Sequence, residues 1–573
     1  MTDIRRTILW VIFGFSLVML WDQWQVYNGK QATFFPSGKP AATATAPAAG
    51  ATAPGAVPVP TTTAAAGTAA TPGAVPGAPA AGAPTTPRER VTVTTDVMRV
   101  TFDTEGGSVI HTEFPKIEGA RPGEPFVLLD QSANRVYVAQ SGLIGGEFPN
   151  HKTPMTVTTG ERTLVDGREE LVVRFESPVQ NGVKLVKTYT LKRGDYAMRV
   201  RHEIVNAGAA PVSPQLYVQL TRDGNPLPGE SSFYSTFTGP AVYTEAQKFQ
   251  KIEFEDIEKN AAEFEKTAST GYVAMVQHYF ASAWILPDNL KRDLFARKVD
   301  TNLYSVGMIA PVSAVAPGTT QSIDTTFFAG PQEEKRLEQI YPGLDLVKDY
   351  GMLTILSKPL YWLLDKLHGF IGNWGWSIVA LVFLIKIAFY WLQAKGYESM
   401  AKMKAINPKV MALRERHKDN PQQMQQEMMK MYREEKVNPI GGCLPIVVQI
   451  PVFIALYWVL LSSVEMRNAP WIGWIRDLST PDPYFILPVV MTLTTLLQTA
   501  LNPIPPDPMQ AKMMWLMPLI FSVMFFFFPA GLVLYWITNN ILSIAQQWLI
   551  NTRMGVPPQF NLPKFGGEAA EKK

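Results

Sequence analysis

A single cysteine, Cys443, among 573 residues excludes an intramolecular disulfide and a cysteine-based zinc site. The six histidines (His111, His151, His202, His278, His368 and His417) show no metal-ligand spacing, so neither metal nor cofactor is expected. No Gly-x-x-x-x-Gly-Lys-Ser/Thr stretch occurs, which removes the usual sign of nucleotide hydrolysis. The net charge of +3 is too small to suggest recognition of nucleic-acid sequence. Residues 91–340 hold no carboxylate pair that the sequence marks as catalytic, and no enzyme is expected. Acidic residues are also missing from every apolar run beyond residue 375. That last absence matters most.

What is present falls into blocks. Arg5 and Arg6 precede an apolar run from Ile8 to Trp21, and no small-x-small cleavage site follows it. Residues 1–35 therefore read as an uncleaved signal anchor with a cytoplasmic N-terminus, a cleaved signal being the alternative. Residues 36–90 are mostly Ala, Pro, Thr and Gly, with too few large apolar side chains for a core, and read as a disordered tether. From residue 91 to 343 the chain alternates as strands do, in "VMRVTFDT", "ELVVRFES", "VKLVKTYTL", "YAMRVRHEIV" and "SIDTTFFAG". Many strands and little helix predict an all-β sandwich domain on the far side of the membrane.

Residues 344–374 change to helical spacing through Leu356, Leu360, Leu363, Leu364, Leu367 and Ile371, as an amphipathic helix lying on the membrane surface would. Packing against the sandwich is the alternative. Five spans are then expected within 375–551, at 375–392, 441–461, 484–501, 513–528 and 532–550. Pro529-Ala530-Gly531 divides the last two. With the anchor these make six, and residues 552–573 form a cytoplasmic tail. Ten Lys or Arg residues lie between Ala394 and Asn438, against Arg467 and Arg476 alone in 464–483, so the first segment is the cytoplasmic one.

That basic segment, 394–440, reads as a helical hairpin whose second arm starts at Asn420-Pro421, an N-cap followed by proline at the first helical position. Seven methionines line it: Met400, Met403, Met411, Met424, Met428, Met429 and Met431. They either pack the arms together or offer an adaptable apolar surface to varied segments. Lys386 stands inside the first core span, and no other expected span carries Asp or Glu to pair it. Polar groups on other spans (Gln449, Thr492, Thr494, Thr495, Gln498, Asn539, Asn540, Ser543, Gln546 and Gln547) make helix–helix bonds or line a hydrated cavity open to the cytoplasm.

The stretches "GNWGWSIVALVFLIK", "SMAKMKAINPKVMALRER", "EKVNPIGGCLPIVVQIPVFIALYWVL", "DPYFILPVVM" and "FPAGLVLYWITNNILSIAQQ" resemble the YidC/Oxa/Alb family of membrane protein insertases in its Gram-negative form. The order of anchor, tether, β domain and five-span core agrees with that family throughout. The resemblance implies a periplasmic β-supersandwich, of which "GYVAMVQHYFASAWI" (271–285) looks like the characteristic segment. It also implies a hydrophilic groove open to cytoplasm and lipid. On this chain the groove would hold Lys386 where arginine is more usual, with Gln449, Trp536 and Asn539. Val382 stands in place of a common threonine, and Trp536 in place of a common tyrosine. Ile450, Phe453 and Met491 would touch the client helix, and Met424, Glu427, Met428 and Met431 would form the recruiting face of the hairpin.

The function implied is insertion and folding of integral membrane proteins in the inner membrane, alone or with the Sec translocon. Expected partners are nascent membrane proteins, the Sec translocon and its accessory subunits, a ribosome or targeting receptor at the hairpin, and membrane lipids. Two other classes stay open. A secondary transporter would carry its substrate site at Lys386, but no repeat symmetry or coupling carboxylate is seen. A membrane-tethered glycan-binding or glycan-processing protein would act through residues 91–340.

Overall fold

The computed structural model describes residues 89–119, 123–158, 160–227, 236–417, 420–435, 444–502, 508–555 and 560. The expected anchor, the tether up to residue 88 and most of the tail lie outside them. The chain divides into two compact units, with the boundary between Val347 and Lys348.

The first unit is all-β at its centre, as the alternating stretches predict. One nine-stranded sheet runs Arg90–Thr94, Arg99–Asp103, Ser108–Glu118, Pro125–Gln131, Val136–Ile144, Gln215–Asp223, Leu303–Pro311, Arg292–Asp300, Thr267–Ala268. The other, also nine-stranded, runs Lys248–Lys251, Gly239–Thr244, Tyr272–Gln277, Phe280–Ile285, Thr320–Pro331, Ala197–Asn206, Val183–Lys192, Glu170–Glu176, Thr156–Thr158. Neighbouring strands are antiparallel, so short turns suffice. Gly194, at φ +69°, takes the left-handed turn conformation between two of them, in the predicted Arg193-Gly194-Asp195 turn. The segment 271–285 is a hairpin in which Tyr272 pairs with Ile285 and Gln277 with Phe280. Two short helices, α1 (Phe254–Glu258) and α2 (Glu334–Ile340), complete the unit.

Its core contains two basic side chains that alternation alone would not put inside. Lys187 donates to the carbonyls of Gly106 (2.6 Å) and Ser141 (2.7 Å). His202 Nε2 meets Ser141 Oγ at 2.9 Å. Burial lowers the Lys187 ammonium to about 7. Burial first, and the Lys187 charge second, lower His202 to about 3.

The second unit is helical. Two 3-10 turns, Leu344–Val347 closing the first unit and Gly351–Leu353 opening the second, precede α3 (Thr354–Ile371). The helical pattern read over 344–374 is therefore a helix only in its later part. Next come α4 (Trp374–Ala388), α5 (Tyr390–Arg416), α6 (Pro421–Glu434), α7 (Leu444–Ser462), α8 (Ile486–Leu501), α9 (Pro508–Met524) and α10 (Ala530–Arg553). Tyr361, Leu364, Ile378, Leu381, Leu456, Val459, Met491 and Val533 meet in one apolar core.

The run expected as one span at 375–392 is two segments. Helices α4 and α5 meet at 68° across Phe389, and by length and composition this bent pair can cross a membrane. No single helix among the described residues is long and apolar enough to do so. The carbonyl of Tyr390, at the bend, accepts from Gln546 Nε2 at 3.4 Å, so a side chain of α10 reaches the first turn of α5.

Candidate functional site: a polar stripe between helices

Lys386 sits three residues before the bend, where α4 faces α10. It is 9% exposed, and its Nζ donates to Ser543 Oγ at 2.7 Å. Ser543 in turn donates to the carbonyl of Asn539, one turn earlier on α10, at 2.7 Å. Among the described residues no carboxylate pairs Lys386, as the lack of acidic residues in the apolar runs predicts. An ammonium has three N–H donors and one hydroxyl is a weak counterpart, so the site favours negative or strongly accepting groups. Asn539 Oδ1 is buried nearby on α10 without a hydrogen-bond partner among the described residues.

A second polar rung crosses α5, α7 and α10. Gln393 Nε2 donates to Gln449 Oε1 at 3.3 Å, and Gln449 Nε2 to the Tyr535 hydroxyl at 3.4 Å. Tyr535, Asn539, Ser543 and Gln546 recur every three or four residues and so lie along one side of α10. Asn540 points elsewhere, donating to Thr494 Oγ1 (3.2 Å) and Thr495 Oγ1 (2.9 Å) of α8. These last bonds are ordinary helix–helix glue.

Of the four groove residues expected, Lys386, Gln449 and Asn539 belong to this stripe, and Trp536 does not. One residue is about 100° of helix rotation. That rotation carries Trp536 into an aromatic cluster with Phe453 (4.7 Å between centroids) and Phe525 (5.1 Å). Its neighbour Tyr535 is the aromatic that reaches Gln449. Sequence reasoning also missed Gln393, at the end of the apolar run, although a glutamine 6% exposed there is a signal of the same kind as Gln449.

The three expected client contacts separate. Ile450 is exposed, Phe453 is half-buried against Trp536, and Met491 is in the core at 1% exposure. Met491 is withdrawn as a contact, because two residues of helix rotation, about 200°, put it opposite the exposed Val489 and Leu493. The exposed stripe of α8 is instead Val489, Leu493 and Leu497, four residues apart.

Helices α5 and α6 fall in the segment read as a hairpin, the first arm starting earlier, at Tyr390. Asn420 caps α6 by accepting from Gln423 N at 3.2 Å, with Pro421 following it. Met403, Met428 and Met431 pack with Tyr432 against buried Ile406 and Val410. Packing thus claims Met428 and Met431, two of the residues expected on an open recruiting face. Met424 and Glu427 are half-buried, while Met411 and Met429 are exposed.

Two family descriptions match the chain, "YidC periplasmic domain" over residues 90–363 and "60Kd inner membrane protein" over residues 366–556. The chain is 58% identical over 553 residues to a protein of Cupriavidus metallidurans named membrane protein insertase YidC, covering 96% of this chain and 98% of that one. A protein of the same name from Ralstonia nicotianae is 56% identical over 555 residues, with 96% and 98% covered. One from a Janthinobacterium species is 53% identical over 569 residues, with 97% and 100% covered. A solved YidC insertase with its first transmembrane domain resolved has a TM-score of 0.38 at 17% identity, over 80% of this chain and 91% of that one. On the near-complete matches to the curated relatives, the chain belongs to the YidC family of membrane protein insertases.

Proposed function

We propose that the chain inserts and folds integral membrane proteins in the bacterial inner membrane, by giving a client's polar segment a place beside Lys386 and its apolar helix a place on α7 and α8. The observation that carries the site is the buried cation of Lys386, held by Ser543 alone among the described residues and followed by Gln393, Gln449 and Tyr535. A translocated segment that is acidic or rich in carbonyls exchanges water for these donors, which lowers the cost of leaving water. The client helix then leaves along the exposed Ile450 and the Val489, Leu493 and Leu497 stripe. Burial of that helix in lipid supplies the free energy, so no nucleotide is needed.

The charge count supports a cytoplasmic hairpin and tail, with residues 91–343 and 464–483 in the periplasm. The hairpin, through Met424, Glu427 and the exposed Met411 and Met429, would meet a ribosome, a targeting receptor or the nascent chain. The Sec translocon and its accessory subunits would work beside it on longer clients.

The deciding experiment places a photocrosslinking residue at 535, 543, 493 or 491 and stalls a client in the membrane. Adducts are expected from 535, 543 and 493 and none from 491. Adducts from 491 alone would overturn the site. Failure of the purified chain, in lipid vesicles, to insert a short client would overturn the function.

A further inference from the structure

Strand alternation puts Thr190, Arg199 and Thr326 side by side on the outer face of the second β-sheet. They stand in register on neighbouring strands, Thr190 with Arg199 and Arg199 with Thr326, and Val172 extends the row beyond Thr190. Leu191, Met198 and Phe327, the next residue along each strand, are buried in the core. Helix α2 adds Arg336, Gln339 and Ile340 above this row, and the turn at Arg193-Gly194-Asp195 adds its own side. Together they bound a cavity of about 480 Å³. That volume lies within the range of small-ligand pockets, about 300–1,000 Å³, and exceeds what one tetrahedral anion fills.

The lining is cationic. Lys192, Arg193, Arg199 and Arg336 bring four positive charges against one carboxylate, Asp195, whose Oδ1 already accepts from the Ala197 amide at 3.0 Å. Two of the guanidinium groups are fixed by backbone. Arg193 donates through Nη2 to Val165 O (2.8 Å) and through Nε and Nη2 to Arg168 O (3.2 and 3.1 Å), with Glu169 4.0 Å from Nε. Arg336 donates through Nη1 to Gly194 O (2.7 Å), lies 3.3 Å from Glu333 through Nε, and stands 5.0 Å over the Tyr196 ring. Arg193 Nη1 and Arg336 Nη2 make no hydrogen bond among the described residues, so each fixed fork keeps unspent donors.

The other two cations are held loosely. Lys192 Nζ is 3.6 Å from Glu170 and Arg199 Nη2 is 2.9 Å from Asp324, both between exposed side chains, where an ion pair contributes little. Either can turn to a stronger anion. A planar guanidinium fork suits a phosphate, and charge-assisted bonds to it are roughly twice as strong as neutral ones. The Thr190 and Thr326 hydroxyls and the Gln339 amide, which hydrogen-bond to no other described residue, suit hydroxyls carried beside the phosphate.

We propose that this cavity binds a phosphate group, with Arg193 and Arg336 as its fixed donors and Lys192 and Arg199 closing on it. Such a group comes from a glycerophospholipid headgroup or from a free phosphate. Residues 341–347 alone separate α2 from the helical unit, which favours the headgroup. The phosphate site stands without the insertase reading, and only the lipid source needs the helical unit to lie in a membrane.

The test uses the full-length chain in uncharged detergent, carrying Cys443→Ser and Val172→Cys, with an environment-sensitive maleimide dye at position 172. That position is exposed and neighbours Thr190, so the dye reports the cavity rather than the helices. Inorganic phosphate, glycerol 3-phosphate, dihexanoyl phosphatidylglycerol and dihexanoyl phosphatidylcholine are titrated as monomers. A saturable response is expected from the three anions, with phosphatidylcholine at least about tenfold weaker. Tighter binding of phosphatidylglycerol than of both soluble phosphates assigns the site to lipid; equal or tighter binding of a soluble phosphate assigns it to the free anion.

Arg336→Gln should weaken binding about tenfold or more. Because that variant also unties α2 from Gly194, two others carry the test without touching the fold. Arg199→Gln should weaken binding about fivefold and Asp324→Asn should strengthen it about threefold, both at unchanged melting temperature, since the first removes a cation and the second releases it. No saturable response to any anion, an equal response to phosphatidylcholine, or affinities unmoved by Arg336→Gln and Arg199→Gln would overturn the proposal. Tighter binding of an Asp/Glu hexapeptide than of any phosphate would also overturn it and make the cavity a protein contact.

Discussion

Lys386 meets a hydroxyl rather than a carboxylate, so its substitution breaks no internal ion pair among the described residues. Lys386→Arg should therefore keep insertion, since the cation stays. Lys386→Met should slow clients with acidic translocated segments more than neutral ones, and Lys386→Glu should be worst, because like charges meet at reduced dielectric. Parallel insertion assays with melting temperatures check this; equal losses that follow a fall in stability would make Lys386 merely structural. In the β unit the corresponding residue is His202. It is held at about 3 against an ordinary 6.5, so below about 6.5 the unfolded chain takes up a proton that the folded chain refuses. Stability is present above that value and is lost as pH falls towards 3. His202→Gln should flatten the fall in melting temperature between those two values while leaving the fold intact. Lys187, lowered to about 7 from 10.5, acts in the same sense at higher pH: the unit gains stability as pH rises from about 7 towards 10.5.

At the scale of elements, close approach decides what can change. A Cβ added to Gly375 would lie 2.2 Å from Trp471 Cδ1, with more of the indole behind it. Gly375→Ala should cost about 1–3 kcal/mol, seen as a lower melting temperature, because the ring has to move. The hairpin separates its methionines in the same way. Serine at Met403, Met428 and Met431 should unfold the paired arms, by about 2 kcal/mol or more each. Serine at exposed Met411 and Met429 should leave the arms folded and weaken early client or receptor contact, which circular dichroism and crosslinking distinguish. The strands were legible because half-buried sheets alternate and turns carry glycine, as around Gly194. The bend at Phe389 was not, since no Pro or Gly marks it and the apolar run is continuous across it. Met491 misled for a related reason: an evenly apolar helix has no polar side from which its buried face can be read. Tyr535 and Trp536 are both aromatic, and only the rotation of α10 tells which one reaches Gln449.

At the scale of the whole molecule, the β unit and the helical unit have separate cores on either side of the boundary after Val347. If the segment read as a tether supplies reach rather than sequence, removing about twenty residues between Ala41 and Ala83 should leave growth and insertion intact. Growth failure at normal protein levels would show that the segment binds something. The bend at Phe389 has a further consequence. It leaves α4 with 15 residues, about 22 Å at 1.5 Å per residue. Helix α8, with 16 residues, reaches about 24 Å, against about 30 Å of hydrocarbon in an ordinary bilayer. Where α4 and α8 each cross a bilayer alone, the lipids beside them would have to shorten their acyl layer to cover them, and a polar segment crossing there would have less oil to traverse. Insertion by this chain should accordingly be faster in vesicles of short-chain lipid than of long-chain lipid at equal fluidity, and an acyl-length series reads that slope directly.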